Sequence, residues 1–191
     1  QYTSVALAMC YEEDLQKAAL AGLLHDCAKC LKTEEMLKEC HRYDVVCSKT
    51  EKEQTQLIHA KLGAVYAKEK YGIQDPQILS AIRWHTTGKE DMSLLEKIVF
   101  TADYIEPHRK MLPVLPKIRR LAFTDLDEAV YSILDATLDY LQEDSKSQDI
   151  EEHSMQAFAY YKKLHDDKMH RNKFVPSGRA RGKYDVGRYL P

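Results

Sequence analysis

The sequence predicts an all-α protein, a single bundle of about eight helices, and three observations predict it. Apolar residues recur at i, i+3, i+4 and i+7, whereas period-2 alternation is nearly absent. Glycine and proline are scarce, seven and six in 191 residues, too few for the many turns of an all-β chain. Some of them, Gly72 and Pro76 among them, stand where helices should stop or start, and no repeat returns at a fixed period.

The opening QYTSVALAM run has helical register and no capping residue ahead of it, so Gln1 reads as a mid-helix position. Over 13–29, Leu15, Ala18, Ala19, Gly22, Leu23 and Asp26 mark one stripe. Another helix is expected over about 33–43. QLIHAKLGAVYAKEKYG follows, with Leu57, Ala60, Ala64, Val65 and Ala67 inward and Gly72 as its stop. Asp75-Pro76 offers a cap and a first-turn proline, opening a helix that runs to about His85. Ser93 and Glu96 form a capping box for SLLEKIVFTADYI. Pro107, Pro113 and Pro116 interrupt the next stretch. Two longer amphipathic helices close the domain, near 125–142 and 149–169.

The domain is expected to fill residues 1–170. Residues 171–191 carry Arg171, Lys173, Arg179, Arg181, Lys183 and Arg188 against one acid, Asp185. They read as an extended basic tail or, more sharply, as a strap laying positive charge over an anion site.

A chain that is 44% hydrophobic and 30% charged is that of a soluble globular protein with a core of its own. Its net charge of −2 gives no general attraction for nucleic acid or an anionic membrane. No apolar run approaches the roughly 20 residues that span a bilayer, and no signal peptide is visible. Five cysteines, Cys10, Cys27, Cys30, Cys40 and Cys47, lie scattered among helical segments. That pattern favours reduced thiols in the cytoplasm over a disulfide framework. Nucleophile-elbow, P-loop and dinucleotide-binding fingerprints are absent.

The chemistry is carried by His25-Asp26 in LLHD, His59 in LIHAKLGA, His85 in IRWHTTG and Asp103 in FTADYIEP. Each of these stretches ends or borders an apolar helical segment, where a lone carboxylate is costly unless something positive meets it. Imidazoles and carboxylates converging from four helices would share a divalent cation such as iron, manganese or zinc. Neighbours on a helix point about 100° apart. A single bite by His25 and Asp26 is therefore awkward, but Asp26 has two oxygens and can bridge two ions. His41, His108, His153, His165 and His170 read as ordinary surface or core residues. The C-x-x-C at Cys27 and Cys30 has no second matching pair and no βαβ setting, so a zinc or redox site there is the weaker reading.

The order His-Asp, His, His, Asp resembles the HD-domain phosphohydrolases. Within them, HDCAK, LIHAKLGA, IRWHTTG and SLLEKIVFTADYIEPHR look like the YqeK family over roughly residues 1–165. That family consists of symmetrical bis(5′-nucleosyl)-tetraphosphatases, which split diadenosine tetraphosphate into two ADP. The resemblance implies that His25, Asp26 and Asp103 hold a metal, normally iron. His59 and His85 would hold a second ion or face the substrate phosphates.

Asp26 and Lys29 are the implied catalytic residues, with Lys29 one turn beyond the pair and able to meet phosphate. Arg109 matches a second phosphate contact, Tyr104 a wall for the nucleotide, and Arg83, Thr86 and Thr87 are placed to help. The family also has a first-helix histidine, expected about five residues before Gln1. Either the chain continues upstream or this ligand is missing. A nucleotidase, a guanosine tetraphosphate hydrolase, a silent nucleotide-binding module and a purely structural ion remain alternatives. A homodimer face near Tyr131 and Tyr161 competes with an ordinary core at the same residues.

Overall fold

Small residues decide how the first two helices meet. Gly22 lies so close to the opposite helix that a Cβ there would stand 2.5 Å from Ser4 Oγ and 3.1 Å from Gln1 Cα. Ser4, Ala18, Ala21 and Gly22 are accordingly buried in that interface. In the computed structural model, which describes residues 1–143 and 150–174, the two helices are α1 (Tyr2–Tyr11) and α2 (Leu15–Leu24). They are followed by α3 (Thr33–Arg42), α4 (Lys49–Glu53), a 3₁₀ turn (Thr55–Leu57) and α5 (Ile58–Glu69). The remainder is α6 (Pro76–Trp84), α7 (Leu94–Ile105), α8 (Leu115–Ala122), α9 (Leu126–Glu143) and α10 (Glu152–Phe174). No strand occurs among the described residues.

Helix α7 is the axis of the bundle. Leu95, Ile98, Val99, Phe100, Thr101, Ala102 and Ile105 bury nearly its whole circumference, and α1, α2, α6, α8 and α9 pack around it. A helix apolar on all sides belongs in a core, and Asp103 rides on this one. A smaller apolar cluster of Met36, Cys40, Ile58, Leu62 and Tyr66 joins α3 to α5.

The caps read from the sequence at Asp75 and Ser93 form, and Asp14 caps α2 besides. Asp14 Oδ1 accepts from Gln16 N (2.8 Å) and Lys17 N (3.0 Å), and Asp75 Oδ1 accepts from Gln77 N at 2.8 Å. Ser93 and Glu96 complete their reciprocal box, and Gly72 has the positive φ of 71° that a helix stop requires.

Four expectations change. Helix α2 ends at Leu24 rather than Lys29. Its stripe is rotated, because small residues face α1 while Leu15 and Leu23 stay 44% and 58% exposed. In α5, Ile58, Leu62 and Tyr66 take the core positions, and Leu57, Ala64 and Val65 are only half-buried. Helices α4 and α8 were not foreseen, and Pro116 stands within the first turn of α8, where proline does no harm.

Tyr161 is buried in the core, and Tyr131 stacks on Phe158 and His165 between α9 and α10. Both rings thus make contacts within the chain, as an ordinary core would have them. Helix α10 runs through the expected boundary at 170, and the tail from 175 onward lies outside the described residues.

Candidate functional site

Beyond Leu24 the chain continues in tight turns, closed by Cys27 N to Leu24 O (3.0 Å) and Lys29 N to Asp26 O (2.9 Å). Turns of this i→i−3 type advance about 120° per residue, so His25 and Asp26 diverge more than in an α-helix. The divergence sends them to different partners. His25 Nε2 lies 3.3 Å from Asp103 Oδ1 and 3.4 Å from Asp26 Oδ2. Asp26 Oδ1 lies 3.1 Å from His59 Nε2 and 3.5 Å from His85 Nε2, while Oδ2 accepts from Lys29 Nζ at 2.9 Å. One carboxylate thus faces two groups of ligands, one oxygen to each.

All three rings are anchored in the same way. His25 Nδ1 is bonded to Gly22 O (2.9 Å), His85 Nδ1 to Ile82 O (2.7 Å), and His59 Nδ1 to Gln56 O. A carbonyl can only accept, so each Nδ1 carries the proton and each neutral ring presents a bare Nε2 lone pair. His59 and His85 bring these lone pairs to 3.1 Å, and the Thr86 hydroxyl, 3.1 and 3.4 Å away, can satisfy only one of them. Asp26 Oδ1 is buried with no hydrogen-bond donor, although two ring nitrogens lie beside it.

These groups fit a metal ion. One ligand atom each from His25, Asp26 and His85 lie within 4.8 Å of one another, the one such group among the described residues. Nδ1–H bonded to a backbone carbonyl is the outer contact that metal-ligating histidines make. The cysteines take no part: Cys27 Sγ points to Gly63 O, and Cys30 is exposed.

Charge follows the same arrangement. Burial opposes the charge on Asp26, but the His59 and His85 rings and the Lys29 ammonium outweigh it and hold its carboxyl well below the usual range. Burial likewise opposes the charge on Asp103, which His25 and His85 hold below the ordinary value. Burial pushes the His85 ring below the ordinary histidine value. For His25 burial is overcome by Asp103 and Asp26, and its affinity for a proton is raised.

Two chambers open from the cluster and share Thr86. The larger, about 460 Å³, is bordered by Lys29, Thr33, Met36, Thr55, Gln56 and His59. The other, about 190 Å³, has His85, Asp103, Tyr104 and Arg109 on one side and an apolar floor of Phe100, Ile133, Leu134 and Leu138. The profile of the HD domain family matches residues 2–108, which include His25, Asp26, His59, His85 and Asp103.

The chain belongs to the HD-domain family.

A symmetrical bis(5′-nucleosyl)-tetraphosphatase of Halalkalibacterium halodurans is 44% identical over 143 residues, covering 73% of each chain. That of Bacillus subtilis is 38% identical over 139 residues, covering 73% of this chain and 74% of the other. A crystal structure of an HD superfamily hydrolase from Clostridium acetobutylicum, described as involved in NAD metabolism, superposes with a TM-score of 0.80. It is 36% identical and the match covers 85% of this chain and 84% of that one.

Of the residues read from the sequence, the HD fold brings His25, Asp26, Lys29, His59, His85, Thr86 and Asp103 together. Arg109 joins them from the turn that follows α7, its Nη2 3.2 Å from Asp103 O and its guanidinium 4.7 Å from the centre of the Tyr104 ring. Arg109 Nε is buried without a partner. Thr87 lines the smaller chamber, with its hydroxyl turned to Gly88 O. Arg83 is not brought in: its guanidinium lies 4.8 Å over the Trp84 ring, and it borders neither chamber. Gln1 and Ser4 border a third chamber with His25, Asp26 and Asp103, so the start of α1 adjoins the cluster.

The sequence reading missed two supports. Arg119 on α8 caps the end of α7 through Ile105 O (3.2 Å) and Glu106 O (2.8 Å). It lay hidden in the proline-interrupted stretch, where the amphipathic LPKIRRLA was its signal. Gln56 acts through a backbone carbonyl, and side-chain type leaves no trace of that.

Proposed function

We propose that this HD-domain protein hydrolyses diadenosine tetraphosphate, and related dinucleoside polyphosphates, symmetrically to two ADP. The observation that carries the proposal is the placement of the Asp26 cluster between two chambers, one for each half of a dinucleotide. The names of the relatives at 44% and 38% identity supply the reaction.

His25, Asp26 and Asp103 would hold one ion and His59 and His85, with the second oxygen of Asp26, another. Iron is the ion we propose; manganese or zinc would also suit imidazole and carboxylate donors. When bound, such an ion supplies Lewis-acid polarisation of a phosphoryl oxygen and makes water a nucleophile near neutral pH. Asp26, held ionised, orients the attacking water and accepts its proton.

Lys29 and Arg109 stand at the two chamber mouths and neutralise charge as it develops on the phosphates. The Thr86 hydroxyl between them donates to a phosphate oxygen, and Tyr104 walls the nucleotide. A symmetrical cut requires attack at a phosphorus flanking the central bridging oxygen, with ADP leaving.

The test is incubation of the iron-loaded protein with diadenosine tetraphosphate, with Asp26→Ala alongside and products separated by chromatography. ADP as sole product, lost in the variant, is expected. ATP with AMP would overturn the symmetrical cut, and absence of turnover would overturn the reaction.

A further inference from the structure

Glu51 and Lys61 form the most deeply buried lysine–carboxylate pair among the described residues, their side chains 3% and 13% exposed. Lys61 Nζ lies 2.6 Å from both carboxylate oxygens of Glu51 and also donates to Val46 O at 3.2 Å. Glu51 Oε2 further accepts the Ser48 N–H at 2.7 Å. The pair therefore ties the segment 46–51 to α5 at three points. Such pairs contribute little net stability, because desolvation offsets their attraction and apolar replacements often do as well. A geometric role is the better account.

The segment it anchors leads directly into the site. Gln54 N to Thr50 O (2.8 Å) and Leu57 N to Gln54 O (2.9 Å) carry the chain from α4 through the 3₁₀ turn. That turn delivers Thr55 and Gln56 to the wall of the larger chamber, where Thr55 Oγ1 meets Thr33 Oγ1 at 3.1 Å. It also delivers the Gln56 carbonyl to His59 Nδ1. His59 and Lys61 are two residues apart on α5, about 200° around the helix. The helix thus grips the segment with Lys61 on one side and receives its carbonyl on the other.

We propose that Glu51 and Lys61 are a positioning pair for the phosphohydrolase site. They set the wall of the larger chamber and, through Gln56, the tautomer and orientation of His59. The inference rests on the function proposed above.

The test compares the metal-loaded parent with Lys61→Met, Glu51→Gln and the double variant. Lys61→Met alone strands a buried carboxylate and lowers Tm sharply. The double variant has no buried charge and is expected to recover at least half of that loss. Its KM for diadenosine tetraphosphate should nevertheless rise about fivefold or more, and kcat/KM should fall about tenfold. Glu51→Gln alone keeps a hydrogen-bonding amide and should shift both in the same direction by less.

Nitrogen-15 NMR of the zinc-loaded protein gives a readout that needs no turnover. The His59 Nδ1–H signal should be sharp in the parent and lost or broadened in the double variant. Parent-like KM together with a parent-like His59 signal in a folded double variant would overturn the positioning role. If the parent itself does not cleave the dinucleotide, the proposed function fails, and the His59 signal alone decides the pair.

Discussion

The Nε2 atoms of His59 and His85 lie 3.1 Å apart while both rings commit their Nδ1 protons to the carbonyls of Gln56 and Ile82. Two lone pairs face one another beside a buried carboxylate oxygen that has no donor. Water cannot easily relieve such a cluster in a protein interior, whereas a cation can. Chelation of the metal-loaded protein is therefore expected to lower Tm by roughly 5–10 °C, as loss of a ligand present at about a hundred times its Kd would. Adding the divalent ion back should restore it. Calorimetry that finds no change on chelation would refute an ion here.

Metal loading should weaken as pH falls, and it should start to do so above the ordinary histidine value of 6.5. Burial disfavours a charged His25, but Asp103 and Asp26 outweigh it and raise its pKa. In the ion-free protein that proton contributes stability fully below the unfolded pKa, and the contribution is lost as pH rises through the raised value. Low pH thus favours the proton over the ion. Titration with a metal indicator between pH 8 and 6 checks this, and a constant affinity across that range would contradict it.

Lys29 is largely exposed and, among the described residues, pairs with Asp26 at its own turn. Lys29→Ala should leave Tm within about a degree of the parent and reduce kcat/KM roughly 10- to 100-fold. Arg109→Lys keeps the charge but loses the planar fork that reaches Asp103 O and covers Tyr104, and about a tenfold loss is expected. Steady-state kinetics beside a melting curve separates these effects from unfolding.

Glu96 is a stability residue with a definite pH signature. Burial opposes its charge, but Ser80, the Ser93 N–H and Lys89 hold its carboxyl below the ordinary 4.5. Being depressed, it contributes stability above the unfolded value, and this is lost as pH falls through the folded one. Glu96→Gln should cost about 1–3 kcal/mol at pH 7 and less at pH 4, measured by urea unfolding.

Gly63 is where α5 approaches the HD pair. A Cβ there would stand 3.3 Å from the His25 carbonyl, so Gly63→Ala must displace either His25 or the helix by a few tenths of an ångström. Turnover is expected to fall about tenfold with a smaller effect on Tm, since a misplaced ligand matters more than a tight contact. Equal turnover in this variant would show that the turn at His25 yields without consequence.

The members of the cluster were legible because their residue types are rare in apolar helical surroundings. His25, Asp26, His59, His85 and Asp103 stood out for that reason, and the cluster contains all five. Arg83 was placed beside them only as a helper, and it stacks on Trp84, because a position two residues before His85 lies about 200° around the helix. Arg119 and the Gln56 carbonyl did not stand out. The first acts on main-chain carbonyls of a distant helix, and the second acts through its own main chain.

By itself the sequence determined the helical class, the caps at Asp75 and Ser93, and which side chains of rare type the cluster would gather. These depend on neighbours within a turn or on residue chemistry, both of which are written locally. Only the tertiary structure decided which face of α2 is buried, since that depended on how closely Ser4 approaches Gly22. It alone decided that one oxygen of Asp26 meets His25 and the other meets His59 and His85. That division arises where α2 tightens at its end and α5, α6 and α7 converge, a coincidence of separate helices that no local pattern encodes.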